Sequence, residues 1–122
     1  MSPKPIKLSD KLSLFSDHWH PRIVAELNGQ QVKLAKLLGE FEWHSHKQED
    51  ELFLVIEGSL EIELENAPTA KLGPGEMLVV PRGVQHRPVA KEEVSVMLFE
   101  PSTTVNTGDN PSDRTRDELD WI

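Results

Sequence analysis

Four side chains that commonly bind metal ions lie in two short segments of this sequence. His44 and His46 are two residues apart, Glu51 follows them closely, and His86 lies further along the chain. Side chains two apart on a β-strand point to the same side, so a strand over residues 42–46 presents both imidazoles to one ion. The polar residues between His46 and Glu51 predict a turn, after which Glu51 returns a carboxylate to that side. We expect the four side chains to form one metal site.

Three imidazoles and one carboxylate suit one divalent transition metal, namely Fe, Mn, Ni, Co or Zn. The chain has no cysteine, which excludes a thiolate zinc site, a disulfide and a cysteine nucleophile. Four protein ligands on a metal that accepts six leave two positions for a substrate, whereas a closed shell would be structural only. The alternative is a hydrogen-bonded polar cluster in a protein that has lost its metal.

The first of these segments resembles the first motif of the cupin superfamily. That motif consists of glycine, five residues, histidine, one residue, histidine, three or four residues, glutamate, six residues and glycine. The sequence matches it from His44 to Gly58, although Gly39 is one residue too close to His44. The two histidines and Glu51 thereby take the motif's ligand positions.

The second segment resembles the second cupin motif, and Ala90 stands where that motif has asparagine. The matching positions are Gly75, Pro81, Gly83 and His86. Both motifs occur in order, and the resemblance spans residues 30–100. It implies an all-β fold, the double-stranded β-helix or jelly-roll barrel of cupins, with short peripheral terminal segments. It also implies that the metal ligands are His44, His46, Glu51 and His86.

The same resemblance divides the chain into an N-terminal arm with the first strand (residues 1–29), a barrel core (30–100) and a C-terminal arm (101–122), one domain in all. Nine prolines and seven glycines in 122 residues also favour short strands with frequent turns. The predicted strands are 22–27, 31–38, 42–46, 52–57, 59–65, 77–80, 86–89 and 94–99. Asn28-Gly29 predicts a hairpin turn, residues 67–68 and 72–75 predict breaks, and Ser9 predicts a capped helical turn that packs Leu12 and Phe15 on the barrel.

Strand alternation predicts which side chains line the barrel. If Glu51 points inward, Phe53 and Val55 do as well, while the opposite face carries three apolar side chains, Leu52, Leu54 and Ile56. That face is too apolar to remain exposed, so it packs on a second layer, on a terminal arm or on another subunit. Together with the terminal Trp121-Ile122, it predicts a homodimer.

Several further residues are candidates for binding or catalysis. Arg82 and Arg87 flank the second motif and are candidate clamps for a substrate carboxylate or phosphate, although alternation directs Arg87 away from His86. Lys33 and Lys36 lie on opposite faces of one strand, so at most one enters the barrel.

Other candidates have simpler interpretations. Glu42 and Glu49 are candidate bases, and Trp43 is interpreted as a packing residue because it faces away from His44. A second histidine pair, His18-Trp19-His20, has no carboxylate at ligand spacing and is interpreted as a surface loop.

Composition limits the partners. The net charge is −8 with no cluster of basic residues, so we expect no nucleic-acid partner. The longest apolar run, residues 52–56, is too short to span a bilayer, and the first residues lack the apolar stretch of a signal peptide, so we expect no membrane partner and a cytoplasmic location.

The favoured function is a metal-dependent enzyme that acts on a small oxygenated molecule, with isomerase- or tautomerase-like Lewis-acid chemistry on a sugar or keto acid. An Fe(II) dioxygenase and a non-catalytic small-molecule binding module are the alternatives. Because no run of basic residues lines the expected barrel mouth, we expect a neutral or monoanionic substrate.

Overall fold

A computed structural model of the protein describes residues 3–122. The described chain forms one short helix and seven strands. They are α1 (Leu8–Leu12), β1 (Arg22–Leu27), β2 (Gln30–Glu40), β3 (Glu51–Glu57), β4 (Leu60–Leu64), β5 (Ala67–Leu72), β6 (Met77–Val80) and β7 (His86–Pro101). Asn28 and Gly29, both at positive φ, form the predicted turn between β1 and β2.

The strands pair in the order β1-β2-β7-β3-β6, and β4 and β5 join this sheet through β7. The first part of β7 pairs with β4 and with the end of β2, whereas its second part pairs with the rest of β2 and with β3. Every pairing between these strands is antiparallel. One long strand therefore contributes to both layers of the barrel, and the all-β jelly-roll fold is confirmed.

The core lies between the two layers, where apolar side chains from both are buried together. On β3, Glu51, Phe53 and Val55 are buried and the residues between them are partly exposed. This agrees with the predicted alternation. Gly58 follows β3 at a φ of +94°, and a Cβ there would lie 2.9 Å from the carbonyl oxygen of Glu93. The close approach of β7 therefore requires glycine at this position.

A second apolar cluster covers part of the outer sheet face. Phe15, Val24 and Leu34 are buried there, and Ile56 of β3 packs against them. The partly buried side chains that complete the cluster are Leu8, Leu12, Val32, Met97 and Ile122. The N-terminal segment thus packs on the barrel as predicted. The helix nevertheless begins at Leu8 after Lys7, with no side-chain cap, so Ser9 is not its N-cap.

The predicted strand over residues 42–46 is wrong. Only His44 forms a β-bridge there, with His86. The neighbouring carbonyl groups bond elsewhere: the Asp109 N–H donates to the Ser45 oxygen at 2.9 Å, and the Gly83 N–H donates to the His46 oxygen at 2.8 Å. Turns and the C-terminal segment therefore supply the hydrogen bonds that a neighbouring strand would have supplied.

Two other strand predictions also need correction. Residues 67–72, expected to begin and end in breaks, form the strand β5. Among residues 3–122 it pairs with β4 alone, so Pro68 lies on an edge strand, and the register shifts beside it. Residues 86–89 and 94–99 were predicted as separate strands but belong to β7, because the exposed charged residues between them continue the extended chain.

No helix in residues 3–122 is both long enough and apolar enough to cross a membrane.

Candidate metal centre

The structure brings the four predicted ligands together. Glu51 and His86 are the first residues of β3 and β7. The other two ligands, His44 and His46, lie in the β2–β3 loop, residues 41–50. His44 and His86 are joined by two backbone hydrogen bonds of 3.0 and 2.9 Å. One ligand atom from each of the four side chains lies within 4.8 Å of the others, and all four residues are buried. The arrangement presents three imidazoles and a carboxylate to one point.

The C-terminal segment, residues 102–122, holds the β2–β3 loop in place. The Asp109 carboxylate accepts a hydrogen bond of 3.1 Å from the Lys47 N–H, in addition to the bond between the Asp109 N–H and Ser45. Gly108 packs so closely that a Cβ would lie 2.1 Å from the Ser45 oxygen and 3.3 Å from His44 Cδ2. Only glycine permits this contact beside the ligand histidine.

Backbone carbonyls orient two of the imidazoles. His44 Nδ1–H donates to the Glu42 oxygen at 2.9 Å, and His86 Nδ1–H donates to the Val84 oxygen at 2.9 Å. A carbonyl oxygen only accepts hydrogen bonds, so Nδ1 of each ring carries a proton and Nε2 is the nitrogen available to a metal ion. His86 Nε2 is 3.3 Å from Glu51 Oε1. Both rings therefore present a metal-binding nitrogen.

His46 tests whether these residues fit a metal ion. Both of its ring nitrogens are buried, and neither has a hydrogen-bond partner among residues 3–122. Its Nε2 is 3.6 Å from Glu51 Oε1, and its Nδ1 is 4.0 Å from Glu49. Burying an imidazole without partners is costly. A divalent cation between the four side chains would bind one of the two nitrogens, so the donor set fits a transition metal.

The protonation equilibria of His44 and Glu51 favour the forms that bind metals. Burial, together with the neighbouring His86, lowers the pKa of His44 from 6.5 to about 4. Burial also opposes a charge on His46, but the Glu51 carboxylate, 3.6 Å from its Nε2, outweighs burial and raises the pKa of His46. For Glu51, burial is outweighed by the neighbouring Glu100 carboxyl, His46 and His86, which hold its pKa well below the usual range. At neutral pH the site contains a neutral His44 and an ionised Glu51.

A cavity of about 40 Å³ opens beside His44 and Glu51. Its walls are mostly apolar, with Lys33 and Glu100 as the other charged residues that line it. Lys33 Nζ donates to Glu100 Oε1 at 2.8 Å, and both side chains are 2% exposed. Burial and the negative charge of Glu51 raise the pKa of Glu100 well above its usual range.

Lys33 was a candidate from its place in the sequence, whereas Glu100 was not expected in the cavity. Lys33 enters the barrel, whereas Lys36 lies outside and donates to the Phe15 oxygen at 2.7 Å. Val94, Val96 and Leu98 are buried on alternate residues of β7, and the same alternation places Glu100 inside. That pattern was visible in the sequence and could have identified this carboxyl.

Both termini contribute walls to the cavity. Trp19 and Pro21 come from the N-terminal side, and Asn106 and Leu119 come from the C-terminal segment. Trp19 stacks on Phe41 with ring centroids 4.7 Å apart. Residues 18–20 are a loop as interpreted, with His18 bonded to Glu93 and His20 to Asp17. The tryptophan between them nevertheless lines the cavity, a role that the sequence analysis did not assign.

The two candidate arginines do not line this cavity. Arg82 is exposed and bonds to Asp50. Arg87 bonds to Glu63 at 2.6 Å and to Glu40 at 3.3 Å.

The other candidates from the sequence also lie outside the cavity. Trp43 is exposed beneath Arg87, so it does not pack in the core. Glu49 accepts a hydrogen bond from Thr103 at 2.9 Å, and Glu42 lies 3.7 Å from Arg114. Neither candidate base is among the residues that line the cavity.

Comparisons with known proteins agree with the fold and the motifs. A protein-family model described as a cupin domain matches residues 30–101. A cupin-2 domain containing protein from Shewanella frigidimarina NCIMB 400 is 50% identical, with a TM-score of 0.77 over 79% of this chain and 93% of that one. Protein NMB1881 from Neisseria meningitidis is 33% identical, with a TM-score of 0.74 over 81% of this chain and 100% of that one.

A curated relative is YdbB of Bacillus subtilis strain 168, described as an uncharacterized protein. It is 42% identical over 64 residues, which are 52% of this chain and 57% of YdbB. The match therefore spans little more than half of each protein.

Proposed function

This chain belongs to the cupin domain family, and from that premise we propose that it is a divalent-metal-dependent enzyme acting on a small oxygenated metabolite. The observation that carries the proposal is the buried His46 imidazole, whose two nitrogens have no partner among the described residues. It lies beside the oriented imidazoles of His44 and His86 and the Glu51 carboxylate, and of these His44 and Glu51 line the cavity. A purely structural polar cluster would have satisfied that ring with hydrogen bonds.

A bound divalent metal supplies Lewis-acid polarisation of a carbonyl or hydroxyl group. The side chains that would hold it are His44, His46, Glu51 and His86. The Glu42 and Val84 carbonyls keep two of the rings in orientation, so little reorganisation is required when a ligand arrives. The mostly apolar walls lower the local dielectric constant and so strengthen electrostatic interactions inside the cavity. We favour isomerase- or tautomerase-like chemistry, in which a proton moves beside a polarised carbonyl.

The test begins with metal analysis of protein purified without a metal-affinity resin. Small keto acids, hydroxy acids and sugars are then incubated with it in deuterated water under strict anaerobiosis and followed by NMR. We expect proton exchange or turnover without oxygen, and partial activity when Mn(II) or Zn(II) replaces Fe(II). Oxygen consumption matched one-to-one with product would instead identify a dioxygenase. Ligand binding without exchange or turnover would identify a binding module.

The expected cytoplasmic location is part of the same proposal. It agrees with a chain without cysteine, which needs no oxidising compartment. Fractionation of the native source, followed by immunodetection, is the direct measurement.

A further inference from the structure

Lys33 is a charged residue buried among apolar side chains, which is an unfavourable position for an ammonium group. It lies on the inner face of β2, opposite Leu98 of β7, which in turn lies opposite Phe53 of β3. Its neighbours on the same face of β2, Ala35 and Leu37, belong to the buried apolar core. An apolar residue would suit this row of the barrel, so the ammonium group carries a desolvation cost that packing alone does not explain.

The contact with Glu100 does not use the full hydrogen-bonding capacity of Lys33. Lys33 Nζ has three N–H donors, and its hydrogen bond among residues 3–122 goes to Glu100 Oε1. The Glu100 carboxyl, in contrast, also interacts with the neighbouring Glu51. Buried ion pairs can often be replaced by apolar residues without loss of stability. Lys33 therefore offers two spare N–H donors to a ligand in the cavity.

Lys33 is also the one lysine or arginine among the described residues that line the cavity. Arg82 and Arg87, the cations that the sequence suggested, have carboxylate partners outside it. An anionic oxygen in the cavity would consequently meet Lys33 on the β2 side, and His44 and Glu51 line the same cavity. This favours a ligand with one anionic group.

The size of the cavity limits the ligand further. A volume of about 40 Å³ accommodates roughly three water-sized groups, since one water needs about 10–15 Å³ on this measure. A sugar ring is much larger than this. A small 2-oxo or 2-hydroxy acid fits better, and it carries a carboxylate beside a carbonyl or hydroxyl oxygen. One such molecule can offer an anionic oxygen to Lys33 and oxygen ligands to the histidine-glutamate cluster.

We infer that Lys33, held by Glu100, binds the carboxylate of a small 2-oxo or 2-hydroxy acid and so determines the substrate class of this protein. The inference rests on the proposed function, because the remainder of the ligand occupies the metal centre. The sequence was compatible with a sugar or a keto acid as substrate, and a carboxylate-binding Lys33 favours the acid.

The test uses the Co(II)-loaded full chain and two probes of similar size, pyruvate and its neutral amide, pyruvamide. Binding is followed through the visible absorption of cobalt. We expect wild-type protein to bind pyruvate about tenfold or more tightly than pyruvamide, since hydrogen bonds to charged groups exceed neutral ones by this order. Lys33→Met should remove that preference and leave pyruvamide and cobalt binding unchanged. Lys36→Met is the matched control, because Lys36 lies on the same strand and outside the barrel.

A second variant and the cobalt-binding control separate failure of this inference from failure of folding or of the proposed function. If Lys33→Met does not fold, the double variant Lys33→Met/Glu100→Leu removes the unpaired carboxylate as well and should lose the same preference. If cobalt binds but wild-type protein does not prefer pyruvate, or if the preference survives in the Lys33 variants, this inference is wrong and the proposed function stands. If cobalt does not bind to wild-type protein, the proposed function fails and this inference fails with it.

Discussion

At the scale of single residues, the site is organised before any ligand arrives. The Glu42 and Val84 carbonyls determine which nitrogen of His44 and of His86 carries the proton. His46 has no such partner among the described residues, so it gains most from a cation. Hydrogen bonds therefore orient the rings of His44 and His86, whereas the ring of His46 carries a burial cost that no hydrogen bond from residues 3–122 offsets.

The first prediction concerns metal content. His44→Ala/His46→Ala should reduce bound transition metal, measured by mass spectrometry, from about one per chain to a small fraction of that. A ligand at a hundred times its Kd stabilises the folded state by about 2.7 kcal/mol, so the melting temperature should fall by roughly 10 °C. His18→Ala/His20→Ala is the matched control, since it removes a histidine pair outside the site. Unchanged metal content in the first variant would contradict the assignment of these ligands.

The second prediction concerns acid sensitivity of the metal-free protein. The pKa of His44 falls from 6.5 to about 4 on folding because the ring is buried. Between these pH values the unfolded chain binds more protons than the folded one, so this residue's contribution to the free energy of unfolding is lost as the pH falls. The loss is on the order of 3 kcal/mol, and His46, whose pKa is raised, acts in the opposite direction.

Urea unfolding at pH 7, 6 and 5 in the presence of a chelator measures this effect. His44→Gln removes the imidazole and should show a weaker loss of stability towards pH 5 than wild-type protein. An equal pH dependence in the two proteins would show that burial of His44 has no such effect.

At the scale of elements, the β2–β3 loop depends on a segment distant in the sequence. The loop is not a strand, and the backbone of Ser45 is held by the Asp109 N–H. Gly108 lies against the same residue and against the His44 ring. We therefore expect residues 107–109 to position the metal ligands, much as outer-shell partners do in other metal sites.

The third prediction tests this role with two glycine substitutions. Gly108→Ala places a methyl group 2.1 Å from the Ser45 oxygen and should weaken metal binding about tenfold or more in a chelator competition assay. Gly29→Ala is the matched control: Gly29 also has a positive φ, but a Cβ there meets no atom within 4 Å. Both variants should lose some stability from backbone strain. Equal metal affinity in the two variants would show that the segment does not position the loop.

At the scale of the whole molecule, one outer face remains apolar. Leu52 and Leu54 of β3 lie opposite Val79 and Met77 of β6, and Met77 and Val79 are 62% and 49% exposed. Ile56, expected on the same open face, instead packs in the cluster around Phe15. The chain thus covers part of the predicted surface itself. The remainder is the surface through which we expect a homodimer to form.

The fourth prediction is that light scattering gives twice the chain mass at micromolar concentration. Val79→Asp should shift the protein to a monomer, because a charge in an apolar interface loses its hydration without gaining a partner. Leu38→Asp is the control, since Leu38 is also exposed, at 42%, but lies on β2, away from β6 in the sheet order. A wild-type monomer would refute the dimer, and a Val79→Asp dimer would place its interface elsewhere.

The local pattern of residues in the sequence was enough to predict several structural features of this protein. The alternation of Glu51, Phe53 and Val55 is a property of the extended backbone, and it predicted both the buried face of β3 and the direction of the carboxylate. The positions of the four candidate ligands could likewise be read from their spacing and from the motifs. The strand at residues 67–72 could not, because Pro68 argues against a strand until its position at a sheet edge is known.

Contacts between strand faces and loops that are distant in the sequence were determined only by the tertiary structure. Alternation showed that Lys33 and Lys36 oppose each other, but only the closed barrel determined that Lys33 enters and meets Glu100, 67 residues away. The loop at residues 42–46 is shaped by Asp109 and Gly83 rather than by its own strand propensity. Contacts of this kind join segments that the sequence keeps far apart, and their formation depends on the packing of both layers at once. The alternation of residues along a strand indicates which of its faces is buried. What packs against that face is determined only when the whole barrel folds.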